Sequence, residues 1–539
     1  MASTVREVTY NVLRDLGMTT IFGNPGSSEL PFLKDMPPDF RYVLALHERS
    51  AAGIALGFAI AKKSAAFVNL HSIASVGNGL SAIIDAHYCH APLVITTGQQ
   101  DRRQILAEPF LVSRAVEVVR PYVKWACEPL RAEDVPAAIA HGYYLATQSP
   151  QGPVFISIPM DDWNRPCDPL AARKVSHTGA PDSTALMEAA RALEVAANPA
   201  IVAGAQIEED SAWHEVIALA EHLRARVYEE PLPARWTFPR SHPLFSGGLL
   251  PAQAPLAAQL AQHDVVLVLG APVFLYYAYV PGAAIREGTK LFQITNSPSD
   301  AASALAGTSI VGNIAAAAQF LRDRLQKREP QRAIKRDASV EPQPSHPMTT
   351  AYLFSTLNKL LPADAIIAEE CPSSKGDLDR YLQRDEPGSF YSVRSGILGF
   401  AVPLAVGLQM ANPTRRVIAP IGDGSAQYSI QALWTAVQQQ VPVIFILIRN
   451  GDYSALRGFS NFTSVGSNVP GIEIPGIDAV KIAQGYGMAA WEVDKAEELA
   501  PAIKRALLEK GPCLISVNVQ PGGQTCMGMD QSVNPPNYG

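Results

Sequence analysis

Two short apolar runs in the C-terminal third constrain the fold of this chain more than any other feature. Val417–Ile421 is followed by Gly-Asp-Gly-Ser at 422–425, and Val441–Ile448 by Arg-Asn-Gly-Asp at 449–452. Runs of this length and composition predict buried strands. Between them, Ser429–Gln440 places Ile430, Leu433, Trp434 and Val437 at the spacing of one buried helical face. Strand, helix and strand form a βαβ unit, and its right-handed crossover sets the strands parallel. Asp423 and Asn450 then stand at the carboxyl edge, where open α/β sheets bind ligands. Two hard oxygen donors at one point suit Mg²⁺, which completes its shell with waters or phosphate oxygens. Gly422 and Gly424 allow close approach of the backbone, and a helix after Ser425 would aim free N–H groups and its positive dipole end at an anion. The unit is expected to cradle a metal and a diphosphate.

A chain of 539 residues has room for three or four domains, and 47% hydrophobic with 17% charged residues is the composition of a globular protein with large cores. The net charge of −6 and the absence of a Lys/Arg block exclude nucleic acid and anionic membrane surfaces as natural partners. The N-terminal Met-Ala-Ser-Thr-Val-Arg-Glu lacks the regions of a signal peptide, and no apolar run reaches the length of a membrane span, so a cytoplasmic location is expected. Cys89, Cys127, Cys167, Cys371, Cys513 and Cys526 show no C-x-x-C spacing and read as reduced thiols.

Composition turns polar and Pro-rich at Asn164–Thr184 and Lys327–Pro347, which divides the chain into blocks of about 1–165, 185–330 and 346–522, with a tail at 523–539. Short apolar runs alternate with helical patterns in all three blocks, as at Ala65–Leu70, Val154–Ile158, Val265–Leu269 and Leu514–Val519. The expected fold class is α/β, with three doubly wound parallel-sheet domains. The first and last blocks also echo each other. His90-Ala-Pro-Leu-Val-Ile-Thr matches Gln440-Val-Pro-Val-Ile-Phe-Ile, and Gly152-Pro-Val-Phe-Ile-Ser-Ile matches Gly511-Pro-Cys-Leu-Ile-Ser-Val, in the same order. A shared topology is expected for these two blocks.

Several motifs along the chain carry a resemblance. They are G-N-P-G-S-S-E-L-P-F (23–32), A-L-H-E-R-S-A-A-G (45–53), F-V-N-L-H-S (67–72), G-A-P-V-F (270–274), G-D-G-S (422–425) and V-P-G-I-E-I-P-G-I-D (469–478). Together they resemble thiamine diphosphate (ThDP)-dependent decarboxylases of the benzoylformate decarboxylase type over nearly the full length. The resemblance implies a pyrimidine-binding, a middle and a diphosphate-binding domain, with ThDP and Mg²⁺ (or Ca²⁺) as cofactors. Asp423, Asn450 and the main-chain carbonyl of Asp452 would hold the metal. Glu48 would bond N1′ of the aminopyrimidine and drive formation of the ylide. Leu398 would prop the cofactor and the Gly396 carbonyl would accept from its 4′-amino group. Further cofactor contacts are implied at Asn24, Pro25, Gly26, Ser373, Gly422, Gly424, Ser425, Tyr453 and Ser454. Ser27 would bind the substrate carboxylate and His71 would relay protons, a task suited to a group that titrates near neutral pH. Leu456 and Phe459 would line the substrate pocket.

The chain departs from the pattern at Tyr277, Pro372 and Arg449, and at Gly458, which stands where a bulky aromatic residue is expected before Phe459 and would widen the pocket. Tyr277 stands where the relatives carry a second active-site histidine; its ordinary pKa near 10 makes it a poor proton shuttle. Slow protonation of the enamine would favour attack on a second aldehyde. Pro372 replaces a hydroxyl residue, and Arg449 replaces the first Asn of an Asn-Asn pair, which would add a cation near the metal. Ala203-Gly204-Ala205 and Leu269-Gly270-Ala271 end strand patterns where some relatives bind FAD or ADP. No G-x-G-x-x-G opens a helix there, so no FAD is expected. The expected activity is decarboxylation of an aromatic 2-keto acid to aldehyde and CO₂ through ylide and enamine. A ThDP-dependent carboligase or lyase of the acyloin or acetohydroxyacid synthase type is the alternative, and a non-catalytic ThDP-fold binding or regulatory protein a second one. Because Glu48 and Asp423 lie on different domains and come from different chains in the family, a homodimer or homotetramer is expected. Its small-molecule partner would be a 2-keto acid or aldehyde.

Overall fold

The computed structural model describes residues 3–535 apart from 113, 177, 330–339, 467, 523–526 and 530. Cys526 and the centre of the second Pro-rich segment therefore lie outside the described residues, and the other five cysteines are free thiols. Among the described residues no helix is long and apolar enough to cross a membrane.

Three six-stranded parallel sheets follow one another along the chain. The first contains β1 (Thr20–Gly23), β2 (Arg41–Leu44), β3 (Ala66–Leu70), β4 (Leu93–Gln99), β5 (Ala126–Cys127) and β6 (Val154–Pro159), in the spatial order β2-β1-β3-β4-β6-β5. The middle sheet contains β7 (Pro199–Ala203), β8 (Arg226–Glu229), β9 (Phe245–Gly248), β10 (Val265–Leu269), β11 (Lys290–Thr295) and β12 (Thr308–Val311), in the order β12-β11-β10-β7-β8-β9. The third contains β13 (Ile366–Ala368), β14 (Phe390–Tyr391), β15 (Val417–Gly422), β16 (Ile444–Arg449), β17 (Ala489–Val493) and β18 (Cys513–Asn518), in the order β14-β13-β15-β16-β18-β17.

Numbered within each sheet, the first and third share one order, second-first-third-fourth-sixth-fifth, and the middle one differs. The shared topology expected from the two sequence echoes is present. His90 and Gln440, which lead into β4 and β16, even share a left-handed backbone, with φ of 52° and 51°.

The two like domains pack through matching helices, Glu48–Lys62 and Ala401–Ala411, each lying between the second and third strands of its own sheet. A side chain at Gly57 would collide with the carbonyl of Leu404, and one at Gly407 with the carbonyl of Ile54. Both pairs of equivalent residues stand 350 positions apart, so the contact is reciprocal about a local pseudo-two-fold axis. Glycine at the crossing lets the backbones touch. One apolar core runs through both domains, from Phe22 and Ile54 to Leu404 and Leu447, while the middle domain has its own around Leu193, Leu219 and Leu267.

The βαβ unit forms as expected, with β15 and β16 parallel neighbours. Its helical part differs. Asp423 itself opens a single helical turn, Asp423–Ala426, and the crossover helix is the shorter Ala432–Gln438. The free N–H groups at this edge come from that one turn rather than from a helix after Ser425.

Candidate active site

The carboxyl edge of the third sheet gathers the oxygen donors. Asp423 follows β15 and is almost fully buried. Its Oδ1 accepts from Gly424 N and its Oδ2 from Gly451 N, both at 2.9 Å, which ties the two strand ends together. Burial pushes the Asp423 carboxyl above its ordinary range, and the backbone donors offset this only in part. Asn450 follows β16; its Oδ1 accepts from Asp452 N at 3.2 Å and its amide N donates to Ser454 Oγ at 3.1 Å. The Asp452 carboxylate is taken by Arg457, whose Nε and Nη2 lie 3.0 and 2.8 Å from Oδ2, and by the Ser454 hydroxyl. Among the described residues no hydrogen bond ends on the main-chain carbonyl of Asp452.

This donor set of one carboxylate, one amide and a main-chain oxygen suits a hard cation such as Mg²⁺ or Ca²⁺. No cluster of three His, Cys, Asp or Glu side chains offers another metal site among the described residues. Space above the turn is limited, since a Cβ on Gly424 would lie 2.5 Å from the Tyr453 ring and 3.0 Å from Ile474. Only glycine fits at this position without displacing the Tyr453 ring. Ser373 accepts from Ala455 N at 3.0 Å, and so joins the turn after Pro372 to the helix Ser454–Phe462. The Arg449 side chain turns the other way, to Glu492 and Asp494. The cation expected near the metal is therefore neutralised at the end of β17, because the strand register places those carboxylates within its reach.

Glu48 opens its helix, at the matching carboxyl edge of the first sheet, and is 7% exposed. Three side chains donate to it: Ser75 Oγ at 2.8 Å and Asn24 Nδ2 at 3.0 Å to Oε1, and Asn78 Nδ2 at 3.0 Å to Oε2. Burial raises the Glu48 pKa, but the bonds from Asn78, Ser75 and Asn24 outweigh it, so the carboxyl lies below its ordinary value. Ser75 and Asn78 sit one turn apart on the helix Ser72–Tyr88, facing the same carboxylate.

His71 follows β3 and is held at Nδ1, 2.9 Å from both Glu29 Oε2 and Ser28 Oγ. Ser28 in turn donates to Glu29 Oε1 at 2.8 Å, and Gly26 N to Glu29 Oε2 at 2.9 Å. A carboxylate acceptor sets the proton on Nδ1 and leaves Nε2 for other business. Gly26 is required beneath the ring, since a Cβ there would collide with it. Ser72, the next residue, has φ of 45°, and Thr97 Oγ1 donates to its carbonyl at 3.2 Å. This left-handed backbone is costly for a serine. Ser27 is exposed on the same turn beside Asn24, Pro25 and Gly26.

The turn Gly396–Leu398 bridges the two like domains. Arg49 Nη2 donates to Leu398 O at 2.7 Å and to Asp85 Oδ2 at 3.3 Å, while Ser395 Oγ reaches Asp85 Oδ1 at 2.5 Å. Glu370, fully buried, accepts from Gly399 N and from Ala401 N at 2.7 Å, and burial pushes its carboxyl up to about 8. Tyr277 is half-exposed and sets its ring edge-on to Phe459, with centroids 5.6 Å apart. Leu456 stands exposed one helical turn before Phe459.

Ser28, Glu29, Ser75, Asn78, Arg49 and Glu370 escaped the sequence reading. Glu29 had a signal, since an acid three residues after Gly26 can accept from the turn's own N–H. The others act across 27 to 350 residues and have none.

Three family models match this chain: the thiamine pyrophosphate enzyme N-terminal TPP binding domain over residues 3–115, the central domain over 186–321 and the C-terminal TPP binding domain over 373–517. It is 42% identical over 524 residues to benzoylformate decarboxylase of Pseudomonas aeruginosa, covering 96% of this chain and 99% of that protein. The solved structure of a Rhodococcus jostii thiamine diphosphate-dependent 4-hydroxybenzoylformate decarboxylase superposes with a TM-score of 0.93 at 41% identity, covering 96% and 99%. Benzoylformate decarboxylase of Polynucleobacter necessarius gives 0.92 at 37% identity, covering 97% and 99%.

Proposed function

Because the chain belongs to the thiamine pyrophosphate enzyme family, as a ThDP-dependent decarboxylase similar to benzoylformate decarboxylase, we propose that it converts an aromatic 2-keto acid to its aldehyde and CO₂ with a divalent cation bound. When bound, ThDP supplies a carbon acid that serves as nucleophile and a ring that takes up the electrons released with CO₂. Asp423, Asn450 and the Asp452 carbonyl hold the cation, and the N–H groups of the turn Asp423–Ala426 face the diphosphate. Glu48 accepts a proton at its carboxylate and returns it. His71 presents Nε2 to the substrate and moves protons there, oriented through Nδ1 by Glu29 and Ser28. Ser27 binds the substrate carboxylate, and Leu456 and Phe459 border the aromatic ring.

The observation that carries this reading is Glu48, a desolvated carboxylate kept ionised by three side-chain donors. A solvated first-turn partner of a helix dipole needs no such cradle. The test is a product assay on aromatic and aliphatic 2-keto acids, with and without an acceptor aldehyde. Aldehyde and CO₂ from benzoylformate support the reading, and no CO₂ from any 2-keto acid ends it.

Carboligation is the second reading, favoured by the phenol of Tyr277 against Phe459 in place of an imidazole. Added aldehyde would then divert product to a 2-hydroxy ketone, and Tyr277→His would restore free aldehyde. Assembly follows from the two-sheet site. Leu106 and Phe110, exposed after the carboxyl end of β4, are surfaces for a second copy. Mixing Glu48→Gln with Asp423→Ala subunits should restore activity after exchange if each site draws on two chains. No recovery despite proven exchange would place each site within one chain.

A further inference from the structure

The chain continues past its last strand, β18, which ends at Asn518, and this continuation is tied to both ends of one helix. Gly522 N donates to the hydroxyl of Ser454, the first residue of the helix Ser454–Phe462, at 3.1 Å. At the other end Met529, 1% exposed, is buried with Phe462, Ala252, Ala278 and Val280, and Met527, Val533 and Phe459 pack at the margin. Along the helix Leu456 is exposed, Phe459 intermediate and Phe462 buried, three residues apart on one winding stripe. The described part of the tail therefore covers the deep end of the stripe, and Leu456 at the shallow end is exposed.

The same cluster includes the loop that carries Tyr277. Tyr277 N donates to Pro251 O at 2.8 Å, while Ala252 and Ala278, the neighbours of this pair, pack around Met529. The Tyr277 ring meets Phe459 edge-on at 70°, so two walls from different domains are in direct contact there. Among the described residues, Met529 is a buried member of the cluster that also holds Ala278 and Val280 of the Tyr277 loop and Phe462 of the helix. Methionine suits such a joint, because its unbranched thioether fills irregular gaps and favours aromatic edges.

We propose that Met529, with Met527 beside it, is a positioning residue that holds the helix Ser454–Phe462 against the Tyr277 loop and so sets the preference for an aromatic over a short aliphatic 2-keto acid. This inference rests on the 2-keto acid reading. Removing the thioether would let the Phe459 and Tyr277 walls part. An aromatic ring bordered by Phe459 and Leu456 would lose that contact, whereas a small substrate that does not reach them would lose little.

The test compares the unmodified holoenzyme, Met529→Ala, Met529→Leu and a chain ending at Gly522, which keeps the bond to Ser454. Met529→Ala and the truncation should raise KM for benzoylformate with little change in kcat, and lower the kcat/KM ratio of benzoylformate over 2-oxobutanoate about tenfold. Amide deuterium exchange should quicken in peptides spanning 454–462 and 276–280 but not in the helix Thr350–Leu360. Met529→Leu should restore both readouts. An unchanged ratio in both altered proteins, or an equal loss for both substrates, would overturn the proposal even where exchange quickens. Absence of CO₂ from the unmodified enzyme would instead reject the 2-keto acid reading, with the exchange data still deciding whether Met529 joins the two walls.

Discussion

The first and third sheets have one strand order and pack through equivalent helices, yet their carboxyl edges hold different chemistry. On the first, donors around the carboxylate are side chains, and Glu48 is held below its ordinary pKa. On the third they are backbone N–H groups, and Asp423 stays above its own. One carboxylate is satisfied by the protein alone; the other is left short of positive charge. Duplicated topology thus supplies two platforms, and short loops at the strand ends give one a carboxylate cradled by side chains and the other a carboxylate held by backbone N–H groups, which the proposed function assigns to proton transfer and to a cation with its diphosphate. The helix starts show the same divergence, since Glu48 and Leu398 occupy equivalent places 350 residues apart before Gly57 and Gly407.

The strongest way to break this comparison is to remove each carboxylate. Asp423→Ala should weaken magnesium-dependent ThDP binding by roughly a hundredfold or more, since even outer-shell changes cost tenfold to a hundredfold. Glu48→Gln should retain the cofactor while kcat falls by about 10²–10⁴, the usual worth of a positioned acid or base. Calorimetric titration with ThDP and Mg²⁺ beside steady-state assays separates the two. Equal loss of binding in both variants would erase the division of labour.

Next in size is the His71 array. His71→Ala should reduce kcat by about 10²-fold or more, and Glu29→Gln by less, because the amide keeps a contact to Nδ1 without fixing its proton. A Glu29→Gln enzyme with an unshifted pH–rate profile would remove Glu29 from its orienting role.

The pseudo-two-fold contact makes a symmetric prediction. Gly57→Ala and Gly407→Ala each press a methyl into a facing carbonyl, and each should cost about 1–3 kcal/mol of stability, as overpacking does. Thermal unfolding would sharpen the comparison if the costs match, and break it if only one variant is affected.

The smallest effect is in pH dependence. A depressed folded-state pKa adds stability above the ordinary carboxyl value, and that stability is lost as pH falls through the folded value. Glu48→Gln should therefore show a shallower loss of melting temperature between about pH 5 and 3 than the unmodified protein. Asp423 has the opposite sign: its raised pKa makes stability fall as pH rises through the folded value. In the metal-free protein, Asp423→Asn should therefore lose less melting temperature than the unmodified protein as pH rises from acid to neutral.

The strand-end placement of Asp423 and Asn450 was legible because it is local: an apolar run, then a glycine-rich turn, twice, with a helix between. The three parallel sheets were legible for the same reason, and the kinship of the outer two could be read in the echoes before β4, β16, β6 and β18. Such features depend on residues within a few positions of one another, and period and turn chemistry record them directly. Partners across the fold leave no such record. The three donors to Glu48, the Ser28 and Glu29 contacts at Nδ1 of His71, and the Arg49 and Glu370 bonds that fix the turn at Leu398 exist only once helices and sheets have packed. Tertiary packing also turned Arg449 to Glu492 and Asp494, away from the expected metal, and laid Met529 over the helix that carries Phe459. The local sequence determined which edges could bear chemistry, because backbone geometry follows near neighbours; only the packed chain decided the charge state and orientation of the groups there, because those depend on burial and on donors brought from far along it.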